Sequence, residues 1–143
     1  MSTFNRLCFS FFIFIASFLS ANENYEFVGR HFIASYLDCS ESAIMDNQGI
    51  RQAMIKAINA SGATLVDMTD FEFSPAGYTM IALLSESHAS IHTYPDQKAC
   101  FVDLFTCGNR CSAEAFDAVM REYLAPKRVN VRFLLRSEVN QDQ

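Results

Sequence analysis

A hydroxyl, a carboxylate, two imidazoles and a thiol lie within about 21 residues of one another in the second half of the chain. Ser87 follows Glu86, then come His88 and His92, and Cys107 ends the group. A serine hydroxyl can attack the carbonyl carbon of the peptide bond that precedes it, which converts an amide into an ester. This acyl shift is uphill unless the backbone is strained, and a sharp turn at a functional site can store about 1–3 kcal/mol. These residue types therefore suit acyl and proton transfer.

Two of these residues have side chains that can move protons. An imidazole titrates near neutral pH, so His92 is a candidate base for processing if the chain folds it back to Ser87. A thiol is mostly protonated at pH 7 and can donate a proton to a carbanion. Each residue also has an ordinary explanation. Ser87 could be a turn residue, His92 a hydrogen-bonded strand residue and Cys107 a small buried hydrophobe.

The pattern around these residues favours chemistry. Residues 86–96 read Glu-Ser-His-Ala-Ser-Ile-His-Thr-Tyr-Pro-Asp, and Phe-Thr-Cys-Gly follows at 105–108. Both segments resemble the prokaryotic S-adenosylmethionine decarboxylases, which carry a Glu-Ser-His-x-x-Ile-His-Thr-Trp-Pro-Glu run and make a pyruvoyl cofactor from an internal serine. The resemblance covers about residues 27–137. It departs from the family at Tyr94, where the family has Trp, and at Asp96, where the family has Glu.

The resemblance implies a role for each reactive residue. The bond between Glu86 and Ser87 is cut, Glu86 becomes a new C-terminus, and Ser87 becomes the pyruvoyl group with release of ammonia. His92 is the proton acceptor in this processing. Cys107 is the proton donor during turnover. The pyruvoyl group forms a Schiff base with the substrate amine and accepts electrons as CO2 leaves, the task otherwise done by pyridoxal phosphate.

The resemblance also indicates residues around the substrate. Phe73 lies in the segment 71–77, which is similar to the family's Phe-x-Pro-x-Gly, where an aromatic ring packs on the adenine or attracts the sulfonium. Asp96 is expected to bind the ribose hydroxyls. His31 matches an early Gly-x-His strand and is expected to be structural. His88 adjoins the bond to be cut and is expected to orient that bond or the oxyanion.

Several functions stay open on the sequence alone. The first is decarboxylation of S-adenosylmethionine for spermidine synthesis. Relatives of this fold that decarboxylate arginine or ornithine look similar at the processing motif, and Ser87, His92 and Cys107 serve any α-amino acid. A non-catalytic regulatory member would usually lack Ser87 or Cys107. An exported binding module depends only on the apolar N-terminal segment.

Composition limits the partners and the compartment. The chain has 143 residues, 50% of them hydrophobic, and a net charge of -5. It is long enough for one domain with its own core, and its acidic balance argues against a nucleic-acid partner. The five cysteines form no CxxC pair and have no matching histidine spacing, so we expect no metal site and free thiols in a reducing compartment. Cys39 and Cys100 are expected to be buried, and a disulfide between Cys107 and Cys111 would remove the proton donor.

The N-terminal segment points to a different compartment. Arg6 precedes an apolar stretch, Leu7 to Leu19, and small and polar residues follow, which is typical of a secretory signal. The stretch is short for a spanning helix of about 20 residues. The resemblance implies a cytoplasmic protein, whereas this segment leaves export, membrane anchoring or a start assigned too far upstream open. The predicted parts are a signal-like or anchor-like segment, 1–24, and a single domain, 25–143, that self-cleavage divides into chains 1–86 and 87–143.

Hydrophobic periodicity predicts six strands and two helices in the order β-α-β-β-β-β-α-β. One helix begins at an Asp46 or Asn47 cap and ends at Ser61-Gly62, and the other begins after Ser112 and stops before Pro126. This order predicts an α/β (α+β) two-layer sandwich, a mainly antiparallel sheet with the helices on one face. The other face needs burial, so we expect a homo-oligomer of processed chains, two of each. The strand patterns lie at 27–39, 64–73, 78–84, 90–93, 99–106 and 129–135.

Overall fold

A single antiparallel sheet organises the chain. The computed structural model describes residues 27–107 and 109–137, so the segment predicted at 1–24 lies outside the described residues. The six strands follow one another across the sheet in the order β2-β3-β4-β5-β1-β6, and every pair is antiparallel. The strands are β1 Gly29–Leu37, β2 Leu65–Glu72, β3 Tyr78–Leu84, β4 Ser87–Tyr94, β5 Ala99–Cys107 and β6 Arg128–Arg136.

The two predicted helices begin and end where their capping residues require. In α2, Asn47–Ser61, the Asp46 side chain accepts a hydrogen bond from the Gly49 amide at 2.9 Å, which satisfies a free amide of the first turn. Gly62 ends this helix with a left-handed φ of 82°, a conformation that costs glycine little. In α3, Ala113–Leu124, Ser112 caps the amide of Ala115 at 3.1 Å.

The core lies between the helices and one face of the sheet. Alternate residues of each strand point to the helices because side chains in a strand alternate between faces. Burial of each large apolar side chain contributes about 1.5–3 kcal/mol, so this layer holds the sandwich together. The residues that share this layer include Phe32, Tyr36, Met80, Ile91, Val102 and Leu104 of the sheet and Ile50, Met54, Ile58, Phe116, Met120 and Leu124 of the helices.

The opposite face of the sheet, called here the open face, carries no helix among the described residues. On β4 it presents His88, Ser90 and His92, between the buried positions Ala89 and Ile91. Exposed apolar side chains surround them; Leu83 is 53% exposed and Phe101 is 50% exposed. Within the described part of the chain, no helix is long and apolar enough to cross a membrane. The two-layer sandwich with helices on one face is therefore confirmed.

The structure differs from the prediction at two places. A four-residue helix, α1 Glu41–Ile44, precedes α2 and was not predicted, because a single turn is too short to show periodicity. Strand β4 begins at Ser87 rather than at Ser90, so only two residues connect it to β3. The bond predicted to be cut therefore lies in a tight connection and not in an open loop.

Candidate active site

The backbone of Thr64, just before β2, holds the segment that leads to the peptide bond between Glu86 and Ser87. The Glu86 carboxylate accepts a hydrogen bond from the Thr64 amide at 2.9 Å, and the Ser85 amide donates to the Thr64 carbonyl at 3.0 Å. Burial raises the pKa of the Glu86 carboxyl, but hydrogen bonds from the backbone of Thr64, from Ser85 and from its own backbone outweigh it and lower the pKa overall. This carboxylate therefore stays ionised and anchors the connection.

The carbonyl group of the same peptide bond has a donor from the neighbouring strand. The Cys107 amide N–H, at the end of β5, donates to the Glu86 carbonyl oxygen at 3.0 Å. When a nucleophile attacks this carbonyl carbon, negative charge develops on that oxygen. A backbone amide at about 2.7–3.1 Å from the developing oxyanion stabilises it. The arrangement can therefore polarise the bond that the sequence predicts to break.

The hydroxyl group next to this bond has an imidazole partner. The Ser87 Oγ lies 3.2 Å from Nδ1 of His88, within hydrogen-bonding distance. The φ of Ser87 is 157°, at the edge of extended backbone, so the backbone strain expected at this turn stays a prediction. His88 was expected to orient the bond or the oxyanion, and its contact is with the nucleophile itself.

A carboxylate on the open face bridges two histidines. Asp103 Oδ2 lies 3.5 Å from Nε2 of His88 and 3.5 Å from Nε2 of His31. The other oxygen of Asp103 accepts a hydrogen bond from Ser90. His31 Nε2 is buried without a hydrogen-bond partner, and its ring packs on Phe105 at a centroid distance of 5.2 Å. The sequence predicts a structural His31 and indicates no role for Asp103, yet Asp103 contacts His88, the imidazole next to Ser87, and His31 shares that carboxylate.

These three side chains are also the set of potential metal ligands found among residues 27–107 and 109–137. The donor atoms of His31, His88 and Asp103 lie within 4.8 Å of one another. Two imidazoles and a carboxylate suit Zn²⁺ or another divalent transition metal. The cysteines gave no such pattern, and the sequence spacing of these three residues gives none either.

The other predicted residues lie at the far end of β4. The side chain of Thr79, on β3, is hydrogen-bonded to Nδ1 of His92. Aromatic rings lie on both sides of this imidazole, with Phe73 at a centroid distance of 5.6 Å and Tyr94 at 4.7 Å. Asp96 is exposed in the short 3-10 helix Pro95–Gln97 that follows the strand. Phe73 thus packs against His92, and Asp96 follows the end of the same strand.

The two groups of site residues lie at opposite ends of the same strand, β4. Ser87 and His92 lie five positions apart on the continuous strand β4, and each residue of an antiparallel strand spans about 3.4 Å, so their Cα atoms are about 17 Å apart. The expectation that the chain folds His92 back to its own Ser87 is therefore wrong. A single chain brings together Glu86, Ser87, His88 and Cys107, and it places His92, Phe73 and Asp96 elsewhere.

The four cysteines that lie within the described residues all carry free thiols. Cys39 and Cys100 are buried side by side, and Cys107 and Cys111 are half-buried and not joined. The Cys107 side chain lines a cavity of about 490 Å³ together with Gly29, Phe105 and Arg136. The Arg136 guanidinium lies over the Phe105 ring at 4.4 Å from its centroid, an arrangement typical of a cation–π contact.

Fold and site together define the class: a two-layer α+β sandwich enzyme with a serine hydroxyl, an imidazole and a backbone donor assembled at one peptide bond. The family sequence model described as S-adenosylmethionine decarboxylase matches residues 30–137. The chain belongs to this family.

Individual relatives agree with this assignment. The S-adenosylmethionine decarboxylase proenzyme of Methanococcus maripaludis strain C5 is 34% identical over 116 residues, which cover 81% of this chain and 95% of the relative. The proenzyme of Parasynechococcus marenigrum is 38% identical over 109 residues, covering 76% and 85%. The crystal structure of the adenosylmethionine decarboxylase from Aquifex aeolicus superposes with a TM-score of 0.73 at 28% identity, covering 82% of this chain and 98% of that one.

Proposed function

We propose that this chain is a self-processing S-adenosylmethionine decarboxylase, a lyase whose product serves spermidine synthesis. The observation that best supports self-processing is that both residues of one peptide bond, Glu86 and Ser87, have contacts that suit its cleavage. The Ser87 hydroxyl lies against His88, and the Glu86 carbonyl accepts the Cys107 N–H. Relatives named as proenzymes of this decarboxylase support the proposal of self-processing.

The processing reaction follows from these contacts. Ser87 Oγ attacks the Glu86 carbonyl carbon, and the Cys107 N–H stabilises the oxyanion. The C–N bond breaks as the Ser87 nitrogen is protonated, which leaves an ester. A base then removes the Ser87 α-proton, and the Glu86 α-carboxylate leaves as the Cα=Cβ double bond forms. Tautomerisation and hydrolysis release ammonia and leave a pyruvoyl group at the start of chain 87–143.

The base for the α-proton is proposed to come from a second copy of the chain. His92 is about 17 Å along β4 from its own Ser87, too far for proton transfer. His92 nevertheless lies on the open face, among exposed apolar side chains such as Leu83 and Phe101. A two-fold pairing of open faces would bury these side chains and set His92 of one copy near Ser87 of the other. We therefore propose a dimer with two of each processed chain.

The residues present suit a pyruvoyl group at position 87. Such a group supplies an electron sink for the loss of CO2 from an amino acid. The Cys107 thiol is free, and the Cys107 backbone is hydrogen-bonded to Glu86, so this thiol is the proposed donor that protonates the substrate carbon after CO2 leaves. Phe73, beside His92, offers an aromatic face to the adenine or sulfonium, and the Asp96 carboxylate can accept from the ribose hydroxyls.

Arginine and ornithine are less favoured substrates. Ser87 and Cys107 would serve any α-amino acid, but the relatives are named for S-adenosylmethionine. Free thiols at Cys107 and Cys111 also favour a location in the cytoplasm, which is a reducing compartment. Subcellular fractionation with N-terminal sequencing of the mature protein tests this location and the fate of residues 1–24.

Intact mass spectrometry of the purified protein tests the proposal. We expect two chains divided between Glu86 and Ser87, the second with a pyruvoyl group in place of its serine. The Ser87→Ala variant should stay a single chain. Release of CO2 should be fastest from S-adenosylmethionine in a panel that includes arginine and ornithine. A wild-type protein that stays uncut on long incubation would contradict self-processing, and preference for another amino acid would contradict the substrate.

A further inference from the structure

The Ser87 hydroxyl loses its proton in one step and the Ser87 Cα loses a proton in another. These protons are on different atoms, and the ester forms between the two steps. His92 is the proposed acceptor of the second proton, and within one chain it lies at the far end of β4 from Ser87. The imidazole in contact with the hydroxyl is that of His88, whose Nδ1 is 3.2 Å from Ser87 Oγ. The first step therefore has its own candidate base.

Asp103 gives this imidazole the tautomer that the step needs. To accept the hydroxyl proton at Nδ1, neutral His88 must carry its proton on Nε2. Nε2 faces Asp103 Oδ2 at 3.5 Å, and a carboxylate favours an N–H directed at it. Asp103 is in turn fixed by Ser90, whose hydroxyl donates to its other oxygen. A hydroxyl, an imidazole and a carboxylate thus follow one another in the order that activates a serine nucleophile.

The position of Asp103 depends on strand pairing. Asp103 pairs with Ser90 of β4 and with Ile33 of β1, so His88 and His31 are its diagonal neighbours on the open face. The Phe105 ring packs on both imidazoles, at 5.6 Å from His88 and 5.2 Å from His31. His31 shares the carboxylate, whereas the serine hydroxyl contacts His88. The two histidines therefore make a natural comparison.

We infer that His88, oriented by Asp103, is the base that deprotonates the Ser87 hydroxyl for the acyl shift, while His92 acts only after the ester has formed. The inference rests on the proposed self-processing. The proton passes from Oγ to Nδ1 as the O–C bond forms. The same proton then passes to the Ser87 nitrogen as the C–N bond breaks, which restores neutral His88. Asp103 is a positioning residue, since it acts through His88.

Arrest at the ester makes the two steps separately measurable. Hydroxylamine cleaves esters much faster than amides, so it divides a chain that has reached the ester at residue 87. The His92→Ala variant should accumulate the ester and be cleaved between Glu86 and Ser87, giving a second chain that begins with serine. Adding His88→Asn or Asp103→Asn to this variant should slow ester formation by about 100-fold or more, as loss of a general base does.

Matched variants separate this role from a structural one. His31→Asn in the His92→Ala background removes the other imidazole on the same carboxylate and should slow ester formation far less. Asp103→Glu should recover more of the rate than Asp103→Asn. If His88→Asn abolishes the cooperative melting transition, the Asp103→Asn chain, which keeps both imidazoles, decides the comparison.

Two results would overturn the inference. Ester formation in the His88→Asn, His92→Ala chain at the rate of His92→Ala alone would remove His88 from the step. A hydroxylamine-sensitive ester that accumulates in the His88→Asn single variant would place His88 after the acyl shift. Failure of the proposed function looks different, because the wild type would then stay uncut and His92→Ala would never become sensitive to hydroxylamine.

Discussion

In the proposed reactions, Cys107 contributes its backbone N–H to processing and its thiol to turnover. Its backbone N–H donates to the Glu86 carbonyl oxygen at 3.0 Å, and its free thiol lines the adjacent cavity. Substitution of the side chain leaves the backbone donor in place. Processing and turnover should therefore respond differently to one mutation at this position.

The first prediction separates these two groups. Cys107→Ala should still be cut between Glu86 and Ser87, because the amide remains, but CO2 release should fall by about 100-fold or more with loss of the proton donor. Intact mass and CO2 release measure the two properties on the same sample. Cys111→Ala, which removes a neighbouring half-buried thiol, is the matched control and should keep both. An uncut Cys107→Ala chain would assign the thiol to processing instead.

The second prediction concerns metals at the trio of His31, His88 and Asp103. Zn²⁺ binds imidazole nitrogens and carboxylate oxygens, so at this trio it would take the carboxylate that orients His88. Added Zn²⁺ should slow cutting of freshly purified chain, and a chelator should leave cutting of metal-free protein unchanged. His31→Asn should weaken the inhibition, whereas Lys56→Ala, an exposed change on α2, should not. Acceleration by Zn²⁺ would contradict the prediction.

At the scale of elements, a partly buried hydrogen bond joins β1 to α3. The Tyr36 hydroxyl donates to Asp117 Oδ1 at 2.5 Å, and Arg121 donates to the other oxygen at 2.7 Å. Burial, followed by the hydrogen bond and the negative charge of Asp117, raises the pKa of Tyr36 well above its usual range. The hydroxyl is therefore protonated in the folded state at pH values where an unfolded tyrosine ionises.

The third prediction follows from this raised pKa. Because the folded state favours the protonated hydroxyl, its contribution to stability is complete below about pH 10 and is lost progressively as pH rises further. Tyr36→Phe should lower the free energy of unfolding by about 1.5–3 kcal/mol at pH 8 and flatten the decline above pH 10. Urea titrations across this range measure both, with exposed Tyr94→Phe as the control. An unchanged alkaline slope in Tyr36→Phe would refute the assignment.

Local signals predicted the helices, and non-local pairing explains what the sequence could not show. Asp46, Gly62 and Ser112 act within a few residues of themselves, so the ends of α2 and α3 could be read directly. The approach of Asp103 to His88 depends on which residues of β4 and β5 lie opposite each other. Sequence patterns give the face of a strand but not this register.

For the candidate site, the sequence predicted the reactive residues but not their arrangement in space. The motif named Ser87, His92 and Cys107 as reactive residues, and these roles stay predictions. The motif could not show that β4 runs straight through Ser87 and His92, because an extended strand and a fold-back can have the same residue spacing. Only the three-dimensional arrangement shows that one chain does not bring them together.

At the scale of the whole molecule, the open face of the sheet is the proposed interface between two copies of the chain. Its exposed apolar side chains are concentrated around the two groups of site residues. Exposed apolar side chains that share one face of a sheet are typical of an interface between proteins when they form a continuous patch. The residues that make up this surface are Ile33, Phe71, Phe73, Ile81, Leu83, Tyr94 and Phe101.

The fourth prediction tests a site shared between two copies. Chains with Ser87→Ala and chains with His92→Ala should each fail to mature alone. When the two are unfolded and refolded together, mixed dimers should mature, because the first copy supplies His92 and the second supplies Ser87. Mass spectrometry should find a pyruvoyl-bearing second chain derived only from the His92→Ala copy. If the mixture stays unprocessed although mixed dimers form, His92 does not act across the interface.

The strand order has a consequence for what remains after a cut between Glu86 and Ser87. Strand β1 belongs to the first product, yet its neighbours on both sides, β5 and β6, belong to the second. Strand β3 of the first product also pairs with β4 of the second, so the two polypeptides are interleaved and three ladders of hydrogen bonds must break to separate them. If the proposed cut takes place, the uncut chain must therefore fold first, and we expect the two separated products to refold poorly from a mixture.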